Sequence, residues 1–355
     1  MSEEGERSEQ IGEEAKSEET KTKKKESAPK KEKKEDKKRK VKGRIPWPLS
    51  KIVNIRMVRR LVQLFFLFAI NGYIFTAWFG AEQVTLFWEQ FRNVLPTLPI
   101  IAPLEAPFAI IAGSFDTIQR EFTAGIFPFF TLGAMIIILA VLGRAACGWV
   151  CPIGTMQDYV SLLNPNKVRP APNTEEELRR VKGYIFFIVM FLAVWMFISV
   201  IQNSAENLVD ALGIFAFAAF DPVNPAYILF KLAPEQPWPT SIETLWYIST
   251  WGIFLVQLAF VGIILIVSLW FPRWFCRWLC PAGWLYGLVG RDSLIGIGRN
   301  PAKCTPDICN KCEVVCPMNI RIRRFPYSHV HSPECILCLE CVSHCPNGAI
   351  QIKFG

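Results

Sequence analysis

Near the C-terminal end, four cysteines stand in the order Cys335-Ile-Leu-Cys338-Leu-Glu-Cys341-Val-Ser-His-Cys345-Pro346. Thiolates spaced C-x2-C-x2-C-x3-C-P can grip three corners of a [4Fe-4S] cube, while the fourth, locked by its proline, reaches a neighbouring cluster. Disulfides or a zinc knuckle would have to account for this spacing and for the proline as well. Zinc favours two C-x2-C pairs held well apart.

A second run lies just upstream. Cys304, Cys309, Cys312 and Cys316-Pro317 form C-x4-C-x2-C-x3-C-P, with two extra residues after the first cysteine. The crossover rule of two-cluster ferredoxins assigns Cys304, Cys309, Cys312 and Cys345 to one cluster. It assigns Cys335, Cys338, Cys341 and Cys316 to the other. The insertion makes Cys304 the least secure ligand of the eight.

The other four cysteines expose an internal repeat. Arg144-Ala-Ala-Cys147-Gly-Trp149-Val-Cys151-Pro152-Ile-Gly154 and Arg273-Trp-Phe-Cys276-Arg-Trp278-Leu-Cys280-Pro281-Ala-Gly283 share the frame R-x-x-C-x-W-x-C-P-x-G. Cysteines four apart share one face of a helix, and two such pairs meeting across a pseudo-symmetry axis supply four thiolates. A third cluster, two redox-active dithiols, or a copper or zinc site all fit that set. Arg144, Arg273 and Arg277 would favour ionised thiolates. Trp149 and Trp278 suit interfacial anchoring as well as a part in electron transfer.

Stepping outward from the cysteines, the chain that must position them is apolar. Its 355 residues are 51% hydrophobic, with mean hydropathy +0.26, although residues 1–43 are almost wholly Lys, Glu, Ser, Asp and Thr. That charged stretch cannot bury enough apolar surface to fold and is expected to be a disordered tail. Its lysine-rich end, from Lys21 to Lys42, would also serve as a polybasic patch on anionic lipid. No signal peptide is expected. All 12 cysteines fall in spaced sets, which points to metal ligation in a reducing compartment. The 3 histidines, His329, His331 and His344, all belong to the C-terminal segment. Bis-histidine haem within the bilayer is therefore excluded, and without C-x-x-C-H so is covalent haem.

Four apolar stretches approach the roughly 20 residues needed to cross a bilayer: Leu61 to Phe79, Gly125 to Leu142, Tyr184 to Ile201 and Gly252 to Phe271. The long connections after the first and third hold several prolines. Each also holds a short apolar piece ending in Phe-Asp, Phe115-Asp116 and Phe220-Asp221, expected to be interfacial or re-entrant. Both connections are acidic. Arg144, Lys167, Arg169, Arg179, Arg180 and Lys182 follow the second stretch, and Arg273, Arg277, Arg291 and Arg299 the fourth. Positive-inside placement then puts both termini and all the cysteines on the cytoplasmic side of the plasma (inner) membrane.

The expected fold is an α-helical integral membrane protein, with about four transmembrane helices in two parallel repeats, followed by a small α+β ferredoxin-like 2[4Fe-4S] domain. Its divisions are a tail over 1–43, a membrane domain over 44–299 (repeats 44–170 and 171–299) and a ferredoxin domain over 300–355. The spans, the two C-x3-C-P motifs and the double cysteine run resemble the NapH/MauN-type membrane ferredoxins, the quinol dehydrogenase subunits. They are also similar to the C-terminal half of NosR and to the polyferredoxin CcoG. The resemblance covers Pro46 to Gly355 and implies electron transfer between the quinone pool, with quinol as substrate, and a partner redox protein. It departs from the family in the long tail, the C-x4-C spacing and the absence of a flavin-bearing outer domain. The CcoG likeness implies an alternative, a metal or thiol reductase acting in the maturation of another complex. No nucleic-acid partner is expected.

Overall fold

The computed structural model describes residues 55–70, 111–233, 248–304 and 309–354, all within one compact unit from Leu49 to Gly355. The charged tail, the second half of the first apolar stretch and most of the proline-rich connections lie outside the described residues.

The described chain is mostly helical. The longest element, α6 (Pro172–Ile201), starts with Pro172 in its first turn, where a missing N–H costs nothing, and with Glu175 set against the positive end of the helix dipole. Its 30 residues reach about 45 Å at 1.5 Å per residue, and the short α7 (Ala205–Leu212) follows it. Among the described residues this is the one helix long and apolar enough to cross a bilayer.

The other expected spans come out differently. Helix α1 (Ile55–Ile70) is described only to residue 70. The expected span from Gly125 is shortened to α3 (Phe129–Leu142). Gly125, at φ +76°, ends helix α2 (Ile111–Thr123), and Pro128 restarts the chain. Helix α8 (Ile248–Ser268) stops ahead of Pro272, and its apolar run over Gly252–Ser268 is likewise short of a span. Four full-length transmembrane helices are therefore not found among the described residues.

Helix α2 lies beside α6 and runs in the same direction. Phe115 meets Phe186 at 5.9 Å between ring centroids, and Phe122 meets Phe197 at 5.6 Å. The main core joins Phe115, Met135, Leu139, Val189, Ala193, Ile264, Phe275 and Tyr286. Many large apolar side chains face outward instead, with Phe129 77% exposed, Val256 70% and Phe191 64%.

Each repeat ends in short helical pieces. After α3 come α4 (Ala145–Trp149) and α5 (Pro152–Val160). After α8 come a π-helical turn (Phe275–Leu279) and α9 (Pro281–Val289). The C-terminal segment adds strand β1 (Ile295–Arg299), helices α10 (Lys311–Val314) and α11 (Glu340–Ser343), and strand β2 (Ile350–Phe354). The strands pair antiparallel from Ile295↔Phe354 to Arg299↔Ile350. This small sheet thus reaches back across the division drawn at residue 300, because β1 is the only partner for the last strand among the described residues.

Candidate functional site

The two repeat motifs present their cysteines alike. Cys151 and Cys280 each stand immediately before a helix whose first residue is proline, which turns the chain sharply behind the thiol. The Cys280 Sγ accepts from the Gly283 N–H at 3.4 Å, and the Cys276 Sγ from Gln157 Nε2 at 3.3 Å. All four thiols lie within electrostatic reach of one another. Burial, and then the neighbouring thiols, push Cys151 up and Cys280 up to about 12, against the pull of Arg144 on Cys280. Such thiols lose their protons only to a strong cation, as metal binding provides.

The arginine and glycine that frame each motif are exchanged between the halves. A Cβ on Gly154 would stand 3.3 Å from the Arg273 guanidinium carbon and 3.0 Å from the Cys147 carbonyl oxygen, and one on Gly283 would stand 2.8 Å from Arg144 Nη2. Each glycine makes room for the arginine of the opposite repeat. Arg273 is fully buried; it donates to Cys147 O at 2.7 Å and to both carboxylate oxygens of Asp158, at 2.7 and 2.6 Å. Arg59 reaches the same carboxylate from α1. Burial alone would raise Asp158, but Arg273 and Arg59 outweigh it and hold the carboxyl well below the usual range.

In the C-terminal segment Cys316, Cys335, Cys338 and Cys341 line a cavity of about 20 Å³ walled by Ile297, Met318 and Ile336. Burial first, and then the neighbouring thiols, raise Cys316 to about 11; burial likewise raises Cys335 to about 12. These are the four residues that the crossover rule assigns to one cluster. Of the other set, Cys312 is within electrostatic reach of Cys304 and Cys309. Cys345 belongs to the same small core and accepts from the Ala349 N–H at 3.2 Å. Residues 305–308 of the C-x4-C insertion lie outside the described residues. Among the described residues no three of His, Cys, Asp or Glu close on a single-ion position. In a cube each thiolate would hold a different iron.

The loop carrying Cys335 and Cys338 is wedged onto the repeat motifs. Its backbone passes so close that Ile336 O and Pro333 O would collide with a Cβ on Gly148 and Gly287. Arg144 Nη1 donates to Pro333 O at 2.7 Å and to Glu334 at 3.1 Å, and Lys182 pairs with the same carboxylate. Trp149 Nε1 donates to Leu337 O at 2.9 Å, and Trp278 Nε1 to Glu175 at 3.2 Å. Both half-buried tryptophans thus act as clamps within the fold. Arg277 also differs from expectation: it pairs with Glu175, and the thiol whose field it feels is Cys316 of the C-terminal segment. Cys147 packs in both the main core and the C-terminal core. Sequence reasoning missed Asp158, Glu175 and Glu334; Glu175 stands near Arg179 and Arg180 in the sequence, whereas nothing beside Asp158 or Glu334 marks them as partners of arginine.

A second polar group lies beside α2. Asp116 and Asp221, the aspartates of the two Phe-Asp pieces, are buried side by side. Arg120 donates to Asp221 at 2.6 Å and Asn224 to Asp116 at 3.0 Å.

Comparison with known proteins agrees with the thiol chemistry. Residues 124–170 and 253–300 match a family described as a 4Fe-4S binding domain, and residues 330–351 match another of the same description. The chain is 26% identical over 310 residues to the "Putative electron transport protein YccM" of Escherichia coli strain K12, covering 86% of this chain and 76% of that protein. It is 28% identical over 220 residues to an uncharacterized protein of Methanocaldococcus jannaschii, covering 61% of this chain and 68% of the relative. A further M. jannaschii protein is 24% identical over 226 residues, 63% of this chain and 78% of that protein. No solved structure matches the chain. The chain therefore carries 4Fe-4S binding domains in both halves of its repeat and at its C-terminal end, and it is homologous to a protein named for electron transport.

Proposed function

We propose that this protein is a multi-pass membrane iron–sulfur electron carrier of the NapH/MauN type, working between the quinone pool and a partner redox protein. The observation that carries the reading is the wedge. Thiols from two repeat halves converge on one place, and the loop bearing Cys335 and Cys338 docks directly against it. The bared apolar faces of α3, α6 and α8 support a bilayer setting. The clustering of arginine and lysine around the cysteines supports a cytoplasmic placement of that end in the plasma membrane.

Cys147, Cys151, Cys276 and Cys280 would hold one cluster; Cys316, Cys335, Cys338 and Cys341 a second; and Cys304, Cys309, Cys312 and Cys345 a third. Such clusters supply one-electron transfer over a wide range of potentials. The chain's own residues fix their surroundings: Arg144 and Arg273 lie beside the thiols of the repeat, apolar walls exclude water, and the exchanged arginines lock the halves together.

The test is an iron and acid-labile sulfide count with low-temperature EPR on purified protein, before and after addition of a quinol. In a shared cluster, Cys147→Ser alone and together with Cys276→Ser should lose the same iron, because either loss leaves the cube short of a ligand. A single variant that keeps all its iron would sink the shared cluster and favour two dithiols. Metal-reducing activity that persists without quinone would favour the CcoG-like maturation role.

A further inference from the structure

The two Phe-Asp pieces occupy equivalent places in the two repeats, and the fold brings them together. Phe115 and Phe220 touch edge to face at 6.0 Å, and Asp116 lies within hydrogen-bonding reach of Asp221. Asp116 is 1% exposed, and no donor reaches its Oδ1. Burial, and then the neighbouring Asp221, hold the Asp116 carboxyl well above the usual carboxylate range, which favours one shared proton on the pair. With Arg120 on Asp221, the group is then neutral overall. A structural ion pair would need only one of the two acids.

Asp221 and Arg120 also line a cleft of about 450 Å³, together with Tyr227, Gln257 and the apolar walls Ile214 and Phe254. Ile214, Phe217 and Ile253 are more than half exposed at its mouth, and Ile253 belongs to α8, one of the helices read above as lipid-facing. Ring-sized, apolar on its sides and polar at its base, the cleft suits a lipid-soluble ring that carries a hydroxyl. A hydrogen bond between Ser114 and Tyr286 then links α2 to α9, and Tyr286 is within electrostatic reach of Cys147 and Cys280.

We propose that this cleft binds the head of a hydroquinone and that the Asp116–Asp221 pair accepts a proton from its hydroxyl. The proposal rests on the reading of a quinol-linked carrier. In this step the ring O–H bond breaks and an O–H bond forms on Asp221, whose shared proton resides on Asp116. The charge moves from the acid pair to the ring oxygen, and the Arg120 guanidinium balances it in both states.

The test uses full-length protein in detergent, with decylubiquinol and menadiol as reductants and decylubiquinone for calorimetric binding. Asp221→Asn and Asp116→Asn should keep iron content and the dithionite-reduced spectrum, yet slow quinol-driven cluster reduction about 100-fold or more. Ile214→Trp, on the exposed wall, should weaken decylubiquinone binding at least about 10-fold. Asn variants with full iron and wild-type reduction rates would overturn the acid pair. Unchanged decylubiquinone affinity in Ile214→Trp would overturn the cleft, even if the Asn variants lost iron. Wild-type protein with full iron that neither quinol reduces would instead remove the carrier reading beneath both.

Discussion

The two repeat halves carry the same frame of arginine, two cysteines, tryptophan, proline and glycine, yet they commit it to different partners. Arg273 of the second half turns inward to Asp158 and Cys147 O, so it seals one half against the other. Arg144 of the first half turns to Pro333 O and Glu334, so it holds the C-terminal segment. Trp149 likewise holds Leu337 O, while Trp278 holds Glu175 of α6. The shared frame brings the four thiols together, whereas the difference between its copies decides where the second thiol set docks.

Removing the acid on each side should separate these jobs, with the larger loss on the sealing side. Asp158→Ala strands the buried Arg273 and leaves Arg59 with Glu340 as its anion; breaking a buried pair costs about 3–5 kcal/mol. Thermal unfolding of iron-loaded protein should show loss of the repeat thiols' iron together with the fold. Since Arg273 and Arg59 depress the Asp158 pKa, its contribution is complete above roughly pH 4 and fades only below it. Melting at pH 5 and pH 7 should therefore differ little on its account. Glu334→Gln should instead leave the helical part folded and expose the segment after Asn300 to protease.

The glycines sharpen the same contrast. Gly148→Ala drives a methyl group into Ile336 O, a backbone atom that cannot yield alone, and should displace the docked loop. Gly154→Ala meets the Arg273 side chain and Cys147 O at distances that local shifts can relieve, and it gains helix propensity of up to about 1 kcal/mol in return. Protease release of the C-terminal segment should rise sharply for the first and little for the second. The smallest effect is expected from the indoles: Trp149→Phe and Trp278→Phe each remove one hydrogen bond, worth about 1 kcal/mol. Only the Trp149 change should shift the EPR signal of the cluster proposed on Cys335 and Cys338.

Ligand chemistry was the most legible part of the chain because it is local. C-x2-C and C-x3-C-P spacings are set by the reach of a few residues, and the repeated frame was visible without any knowledge of packing. Span lengths were less legible, since apolar composition continues from Gly125 to Leu142 while Gly125 and Pro128 break the helix inside it. The charges were legible as a tally and not as contacts. Lys182 and Arg179 counted toward positive-inside placement; in the fold Lys182 is buried on Glu334, and Arg179 donates to Met318 O at 2.8 Å. Asp116 and Asp221 counted toward an acidic loop and lie inside the protein. Charge tallies along a chain record how many groups exist, and only the fold decides which of them find each other.

The docking of Glu334 onto Arg144 and Lys182 also bears on how the protein is made. Arg144 and Lys182 leave the ribosome long before Glu334 does, and both are buried in the finished molecule. Until Glu334 is synthesised they lack this anion and must stay hydrated, so the end of the helices that carries the repeat thiols stays open until then. The loop that bears Glu334 can therefore dock over the repeat thiols only once residue 334 has been made.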